Sequence, residues 1–241
     1  MKRLFDILGA GLGLLVISPI LAPVMLLVWF QDGQSPLYVA ERVGREGATF
    51  RMVKLRSMVV GADRTGVDST AANDRRITPI GRFIRRYKLD ELPQLWNVLC
   101  GEMSLVGPRP NVKRETDLYT AVERRLLHVR PGVSDFASIV FSDEGEILKD
   151  HDDPDIGYNQ LIRPGKSLLG LFYVDHRSVR VDIEVCLLTA LAIVSRQAAL
   201  EGVQPVLRRL GAPSELIELA SRRVPLRPMP PPGGDRVVTS R

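Results

Sequence analysis

The longest hydrophobic stretch of the chain lies near its N-terminus. Residues 7–31 are 25 consecutive residues without a charge, and most of them are Leu, Ile, Val, Gly or Ala. At the helical rise of about 1.5 Å per residue, this stretch is roughly 37 Å long as a helix, which is enough to cross a bilayer. The pattern therefore predicts an apolar membrane helix, and three arrangements of that helix compete.

A cleaved signal peptide is disfavoured, because the run ends in Trp29 and Phe30 rather than in a small-residue cleavage site. A membrane-spanning helix conflicts with the basic residues on both flanks, since positive residues mark the cytoplasmic side. Ser18 and Pro19 lie at the middle of the run, and proline kinks a helix by removing a donor. We predict that residues 1–35 form a re-entrant helix broken at this pair; a kinked spanning helix is the alternative.

The remaining chain alternates between short strands and helical patterns. Residues 37–39 and 50–53 flank a Gly-containing turn at 44–47, which is typical of a β-hairpin. Apolar periodicity and capping signals predict helices that begin at Thr78-Pro79 and at Leu92-Pro93, and further helices over about 112–128 and 181–199. The last stretch is rich in proline and glycine, which predicts a disordered tail.

Composition narrows the class of protein. The chain has 241 residues, 45% hydrophobic and 25% charged, so it can bury a core and is too apolar for a wholly disordered chain. Its two cysteines have no C-x-x-C spacing, which disfavours a disulfide framework or a zinc site. The net charge of +5 favours anionic partners, such as phosphates, nucleic acid or a lipid surface.

A basic segment leads into two adjacent acids. Residues 75–88 contain six Lys or Arg residues and no acid, and Asp90-Glu91-Leu92-Pro93 follows. Proline favours a first helical turn, where the helix dipole and free N–H groups stabilise ionised carboxylates. An ionised Asp90 could attack a phosphoryl centre as a covalent nucleophile, and Glu91 could hold Mg²⁺. A plain pair of capping acids is the alternative interpretation.

Several basic residues suit a phosphate-bearing ligand. Arg109 stands between two prolines, which lowers the entropy lost when it binds a phosphate, and Lys54 and Arg56 share one side of a predicted strand. The structural alternatives are a plain turn and a cross-strand ion pair, and the arginines that follow Thr78 could instead face anionic lipid. The candidate phosphate-binding residues are Lys54, Arg56, Ser57, Arg82, Arg86 and Arg109.

Two long motifs carry a family resemblance. Residues 89–99 (LDELPQLWNVL) and 103–110 (MSLVGPRP) resemble the signature of the bacterial sugar transferases, the monotopic polyprenyl-phosphate phosphoglycosyl transferases. Residues 41–44 (ERVG), 54–58 (KLRSM) and 130–133 (RPGV) also match, in family order. The resemblance covers roughly residues 1–195, and an ordered set of long motifs is more specific than any single short pattern.

This resemblance implies an enzyme that transfers a sugar-1-phosphate from a UDP-sugar to undecaprenyl phosphate and releases UMP. The reaction begins exopolysaccharide, capsule, lipopolysaccharide O-antigen or glycoprotein-glycan assembly. By the resemblance, Asp90 is the nucleophile that forms a phosphosugar intermediate, Glu91 binds Mg²⁺, and Lys54, Arg56 and Arg109 contact phosphates or nucleotide. The family's membrane helix is re-entrant and broken at a Ser-Pro pair, which here matches residues 18–19.

We therefore expect an α/β protein of the α+β type. A mostly helical catalytic domain with a short β-hairpin fills residues 36–200, and residues 201–241 form a C-terminal helix and the disordered tail. The re-entrant helix holds the domain on the cytoplasmic face of the bacterial inner membrane. The expected partners are a UDP-sugar, undecaprenyl phosphate and the lipid bilayer, with no nucleic acid; a homodimer and downstream glycosyltransferases are also allowed.

The chain departs from the usual family pattern beside the motif. Cys100, Glu102 and Ala40 replace a common lysine, aspartate and glutamine, and Tyr87-Lys88 replaces a small polar pair. These departures bear on which sugar the protein prefers more than on whether it is active. An inactive phosphate-binding scaffold and a membrane-anchored regulatory or nucleic-acid-binding protein are the competing functions, and the intact Asp90-Glu91 pair disfavours the scaffold.

Overall fold

The computed structural model describes residues 1–65 and 69–239, and these are mostly helical. The strands are β1 (Leu37–Val43), β2 (Thr49–Leu55), β3 (Ser104–Val106) and β4 (Gly132–Ser134). The helices are α1 (Lys2–Phe30), α2 (Pro79–Arg86), α3 (Gln94–Cys100), α4 (Lys113–Asp117), α5 (Phe136–Val140), α6 (Glu144–Ile147), α7 (Pro154–Gly157), α8 (Arg163–His176), α9 (Val179–Val194), α10 (Arg196–Arg209) and α11 (Ser214–Ser221). Shorter 3-10 and π turns connect them at Arg45–Gly47, Ala62–Thr65, Leu89–Glu91, Glu123–His128 and Tyr158–Ile162.

The predicted hairpin is confirmed. Strands β1 and β2 pair antiparallel, with Leu37 opposite Leu55 and Val43 opposite Thr49. The turn between them needs a left-handed backbone, which Gly47 supplies with a φ of 80°. A second, smaller sheet pairs β3 and β4 in parallel. The mostly helical α+β class with a two-stranded antiparallel sheet therefore agrees with the prediction.

The largest hydrophobic core lies between α5, α8, α9 and α10. Phe136 of α5 and Tyr173 of α8 are almost completely buried there, and Val185 and Val203 close the core from α9 and α10. The two aromatic rings meet edge to face, with centroids 6.5 Å apart. The helix that follows Asp90 instead contributes Leu95 and Val98 to a separate, smaller core.

Helix α1 packs along the domain over its whole length. Ala10 lies in a small core with Leu95 and Val98, and further along the helix Val28 lies in another core with Ile84. The glycine-rich segment allows this close approach, because a Cβ added to Gly9 would come within 2.5 Å of Leu105. The helix is long and apolar enough to cross a membrane, as the sequence predicts.

Ser18 and Pro19, where the sequence predicts a break, lie inside α1, which is one helix from Lys2 to Phe30. Pro19 has no N–H to donate to Leu15, the carbonyl four residues before it. The Ser18 hydroxyl donates to that carbonyl instead, at 3.0 Å. The helix therefore continues through the proline, so this pair does not divide α1 into two separate helices; the re-entrant course of α1 stays a prediction.

Two other helices match their capping signals. Thr78 caps α2, since its hydroxyl accepts a hydrogen bond from the Gly81 N–H at 2.9 Å. Helix α3 follows Pro93 and ends at Gly101, whose φ of 86° is the left-handed conformation expected after a helix. Both elements therefore lie where the local sequence predicts them.

The predicted single helix over residues 112–128 is wrong. Helix α4 ends at Asp117, and a separate 3-10 turn begins at Glu123. Thr120 and Glu123 form a reciprocal cap, because each side chain accepts a hydrogen bond from the other residue's backbone N–H. Glu123 is also completely buried and paired with Arg163 at 2.7 Å, which holds this second turn against α8.

The predicted helix over residues 181–199 is also divided. Helix α9 ends at Val194, and Ser195 caps α10 by accepting a hydrogen bond from the Ala198 N–H at 3.3 Å. Residues 143–165 contain α6, α7, a π turn and the start of α8.

The proline-rich tail is ordered against the domain, contrary to the prediction of disorder. The Met229 N–H donates to the Gln160 carbonyl at 3.1 Å, and the Gln160 side chain donates to the Val238 carbonyl at 2.7 Å. The Thr120 hydroxyl donates to the Pro232 carbonyl. Composition alone missed these contacts, because the partners of the tail lie far away in the sequence.

Candidate active site

Asp90 and Glu91 lie on a 3-10 turn (Leu89–Glu91) that directly precedes α3. The carboxylates therefore stand before the helix and outside its first turn. Asp90 is 7% exposed, and its carboxylate has no hydrogen bond or ion pair within the described residues. A buried acid without a partner is costly to fold, which marks it as a functional group.

Lys54 reaches the same place from β2. Helix α3 is fixed to this strand by Asn97, whose side chain accepts from the Val53 N–H at 3.0 Å and donates to the Arg51 carbonyl at 2.8 Å. Asn97 is buried and belongs to the LPQLWN stretch, yet sequence reasoning did not single it out. It is a positioning residue, because it aligns the strand that carries Lys54 with the helix that follows Asp90.

Arg109 completes the group from the turn after β3. Its guanidinium donates to Glu91 Oε1 at 2.5 Å. Gly107 and Gly132 bring two backbone segments together beneath this turn, since a Cβ on Gly132 would lie 2.0 Å from the Gly107 nitrogen. The close approach fixes the rigid Pro-Arg-Pro segment next to the acidic pair.

The pKa values of the two acids move in opposite directions. Burial raises the pKa of Asp90, and the neighbouring charge of Glu91 adds to this. Burial also opposes the ionisation of Glu91, but the charges of Arg109 and Lys54 outweigh it and hold its pKa well below the ordinary value. Glu91 is therefore a fixed anion, whereas the expectation that the surroundings of Asp90 favour its ionised form is wrong for the free protein.

Two predicted phosphate ligands have other partners. Arg56 is buried, and its guanidinium binds both carboxylate oxygens of Asp32, at 2.5 and 2.6 Å, and the Ser35 carbonyl at 2.8 Å. It therefore holds the C-terminal end of α1. Ser57 is buried beside the start of α2, where its carbonyl accepts from the Thr78 N–H at 3.1 Å.

The arginine of α2 that acts on the acidic pair is not one of the two that the sequence predicts. Arg82 and Arg86 are exposed, and the Arg86 guanidinium lies 5.8 Å from the centroid of the Tyr87 ring. Arg85, which was not among the candidates, carries the α2 charge that acts on Asp90. Of the predicted site residues, the structure thus groups Lys54, Asp90, Glu91 and Arg109.

A polar cleft adjoins this group on the other side of Arg109. It is open to solvent and is lined in part by Asp135, Ser138, Tyr158 and Lys166. Lys166 pairs with Glu144 and lies 5.2 Å from the centroid of the Tyr158 ring. None of these four lining residues is among the site residues predicted from the sequence.

The acidic pair fits a magnesium ion. Mg²⁺ is usually bound by one or two protein carboxylates together with substrate phosphates and water. Glu91 is ionised, and its Oε2 has no hydrogen bond within the described residues, because Arg109 contacts only Oε1. No larger cluster of His, Cys, Asp or Glu suited to a metal occurs in residues 1–65 and 69–239.

Lys54 predicts an alkaline limit to donor binding. Burial, together with the charge of Arg109, lowers the pKa of Lys54 from the ordinary 10.5 to about 8. If the lysine binds donor phosphate, kcat/KM should fall about tenfold per pH unit above about 8, because the ammonium loses its proton there.

The same shift affects stability in the opposite direction. The free energy of unfolding should rise between pH 8 and 10.5, because the unfolded chain binds more protons than the folded chain in this range.

A pH profile of kcat/KM checks this expectation. Lys54→Arg keeps its charge throughout and should remove the alkaline limb. The matched control is Lys113→Arg, at an exposed lysine paired with Asp117. If the wild type, Lys54→Arg and Lys113→Arg all lost kcat/KM above about pH 8 to the same extent, the assignment of this pKa to Lys54 would be contradicted.

The chain belongs to the bacterial sugar transferase family, whose model matches residues 1–196. The match includes α1, the hairpin and the whole Asp90 site. It ends at the start of α10, so α11 and the docked tail lie outside the part that defines the family.

Several curated proteins are similar to the chain. It is 41% identical over 151 residues to the UDP-galactose-lipid carrier transferase of Erwinia amylovora, which covers 56% of this chain and 31% of that protein. It is 40% identical over 148 residues to the exopolysaccharide production protein ExoY of Sinorhizobium fredii, covering 55% and 66%. It is 40% identical over 152 residues to the undecaprenyl-phosphate galactose phosphotransferase of Salmonella typhimurium, covering 56% and 31%. The matched stretch thus spans between about a third and two thirds of these relatives.

Proposed function

We propose that this chain transfers a sugar-1-phosphate from a UDP-sugar to undecaprenyl phosphate and releases UMP, with Asp90 as a covalent nucleophile. The observation that carries the proposal is the buried Asp90 carboxylate, which has no partner in the described part of the chain although Lys54, Arg85 and Arg109 surround it with positive charge. The names of the relatives from Erwinia and Salmonella support a nucleotide-sugar donor and a lipid-phosphate acceptor.

The chemistry takes two displacement steps at phosphorus. An oxygen of ionised Asp90 attacks the phosphorus that bears the sugar, and the bond from that phosphorus to the bridging oxygen breaks. UMP leaves with the bridging oxygen and its electron pair, so a phosphosugar remains on Asp90. A phosphate oxygen of the lipid then attacks the same phosphorus, and the Asp90 carboxylate leaves. The two steps restore the enzyme without an external base or oxidant.

The surrounding charges favour this course. Lys54 and Arg109 offer cations to the diphosphate of the donor, and fixed charges in a partly dry site stabilise the leaving nucleotide more than water does. Glu91, with Asp90 beside it, would hold Mg²⁺ against the donor phosphates, and the ion would neutralise charge on the diphosphate. Arg109 donates a hydrogen bond to Oε1 of Glu91 only, so Oε2 remains available to bind the ion.

Both ends of α1 contact the same domain, which supports a re-entrant or interfacial helix. At the N-terminal end, Lys2 pairs with the completely buried Asp182 at 2.7 Å. At the other end, Asp32 follows the helix and pairs with Arg56. A straight helix of 29 residues is about 43 Å long, so in a spanning arrangement its two ends would lie on opposite sides of the bilayer.

An apolar face of α1 is left for the lipid. Exposed side chains occur along the helix from Leu8 through Leu15 to Phe30, and α9 adds Leu187 and Val194. Large exposed apolar areas on a soluble surface are unfavourable, whereas contact with acyl chains removes that cost. We propose that these faces seat the domain on the cytoplasmic surface of the inner membrane, where the lipid phosphate is within reach.

The topology gives a direct prediction. In a Cys100→Ala/Cys186→Ala background, a single cysteine inserted directly after Met1 or substituted for Gln34 should be labelled by a membrane-impermeant maleimide from the same side of the membrane. Both should react in inside-out vesicles, and both should be protected in right-side-out vesicles. Labelling of the two positions from opposite sides would establish a spanning helix.

The activity is tested by product analysis. Purified chain in detergent, with Mg²⁺, undecaprenyl phosphate and a panel of UDP-sugars, should release UMP from at least one donor. UDP in place of UMP would mean an ordinary glycosyl transfer and would contradict the phosphosugar mechanism. Binding of the donors without any release would favour the inactive scaffold.

A further inference from the structure

The cleft beyond Arg109 is lined by polar atoms that make no hydrogen bond to the described part of the chain. Asp135 is 3% exposed, and its Oδ1 accepts hydrogen bonds from the Ser138 N–H and the Ser138 hydroxyl, both at 2.6 Å. Its other oxygen, Oδ2, has no partner within the described residues, and the same holds for the hydroxyl of Tyr158. Both residues line the open cleft, so these two oxygens are available to hydrogen-bond a ligand there.

We infer that this cleft binds a hydroxyl-bearing ring of the nucleotide-sugar donor, and that Asp135 accepts a hydrogen bond from a hydroxyl of that ring. The inference rests on the proposed function and adds a specificity residue to it. Two rings of the donor have this chemistry, the hexose and the ribose of the nucleoside. Both present hydroxyl donors, and both are joined to the diphosphate.

The charges of the cleft favour a neutral ring over a phosphate. Arg109 lies at the boundary, because it pairs with Glu91 and also lines the cleft. Further in, the carboxylate of Asp135 would repel a phosphate, and Lys166 is already paired with Glu144. A donor whose diphosphate lies between Lys54 and Arg109 would therefore extend a neutral ring toward Asp135 and Tyr158.

The lining of the cleft agrees with such a ring, because polar side chains such as Asp135 lie among apolar ones such as Leu126 and Ala137. A site built to bind a hydroxyl rejects ligands that lack it strongly, because its own polar groups are then left unpaired. Asp135 is thus placed to determine which donor is accepted.

The test is Asp135→Asn, combined with Asp90→Asn so that binding is measured without turnover. Asparagine keeps the acceptor that Ser138 uses, so α5 remains capped, but it replaces the free acceptor oxygen by an NH₂ donor. The matched control is Asp153→Asn, since Asp153 also caps a helix and accepts from the Asp155 and Ile156 N–H groups outside the cleft. Thermal unfolding of each variant checks the fold.

Isothermal titration with UDP-galactose, UDP-glucose, UDP-N-acetylgalactosamine, UDP and UMP, all with Mg²⁺, gives the readout. We expect Asp135→Asn to weaken donor binding by roughly tenfold to a hundredfold, and Asp153→Asn to leave it unchanged. A loss confined to the UDP-sugars assigns the cleft to the hexose, and an equal loss for UMP and UDP assigns it to the ribose.

Unchanged affinity for every nucleotide, or no nucleotide binding at all by the Asp90→Asn chain, would overturn the inference. Failure of the proposed function would give a different result: the wild-type chain would release UDP, or no nucleotide, from donors whose binding still depends on Asp135.

Discussion

Asp90→Asn is expected to abolish UMP release, with a loss of at least about 10³-fold in single-turnover rate, because the neutral amide cannot act as the nucleophile. The wild-type chain incubated with its donor should gain the mass of the phosphosugar in an intact-protein spectrum, and the variant should not. Since burial raises the pKa of Asp90, the ionised group opposes folding at neutral pH. The variant should therefore unfold at the same temperature as the wild type or at a higher one.

The control for this result is Asp155→Asn. Asp155 is 8% exposed, close to the 7% of Asp90, but it accepts a hydrogen bond from the Ser69 N–H at 2.8 Å. The asparagine there keeps an acceptor for Ser69, so full turnover is expected. Wild-type turnover by Asp90→Asn, or a phosphosugar adduct on that variant, would remove Asp90 from the mechanism.

Glu91→Gln is expected to lower kcat by about 10²–10³-fold and to raise the Mg²⁺ concentration needed for half-maximal rate. Glutamine keeps an oxygen that can accept from Arg109, so the ion-pair geometry survives while the negative charge is lost. Donor-dependent UMP release across a Mg²⁺ titration measures both effects. The loss should shrink at high Mg²⁺ if metal binding is the cause.

Glu102→Gln supplies the comparison. Glu102 is exposed, and its carboxylate accepts from the Asn97 side chain at 2.6 Å, a bond that glutamine can keep. Its Mg²⁺ dependence should match the wild type. An unchanged rate and an unchanged Mg²⁺ dependence in Glu91→Gln would mean that this carboxylate holds no metal.

Local signals predicted the elements that local interactions determine. The Thr78 cap and the proline after it define the start of α2, and the glycine turn defines the hairpin. The Asp90-Glu91 pair could also be predicted as a candidate site, because its motif is a short run of adjacent residues. In each case the residues that decide the structure are close neighbours in the chain.

Long-range contacts account for what the sequence did not reveal. The sequence pattern predicts that Arg56 binds phosphate, but in the fold it pairs with Asp32. Helix α2 presents Arg85 to Asp90 in place of Arg82 or Arg86. The tail looked disordered because its partner Gln160 is 78 residues from Val238. Burial likewise reversed the expected effect on the pKa of Asp90, since no pattern of neighbours along the chain reports desolvation.

The packing of α1 has a consequence for how this family can be engineered and can evolve. The helix supplies Ala10 to one core and Val28 to another, and its first lysine pairs with a buried aspartate of α9. Helix α1 and the rest of the domain are therefore not interchangeable modules: a foreign apolar helix in place of α1 would leave two holes in the interior and an uncompensated buried charge. Substitutions on the inner face of α1 are expected to require matching changes in the domain, whereas substitutions on its exposed face are expected to be tolerated.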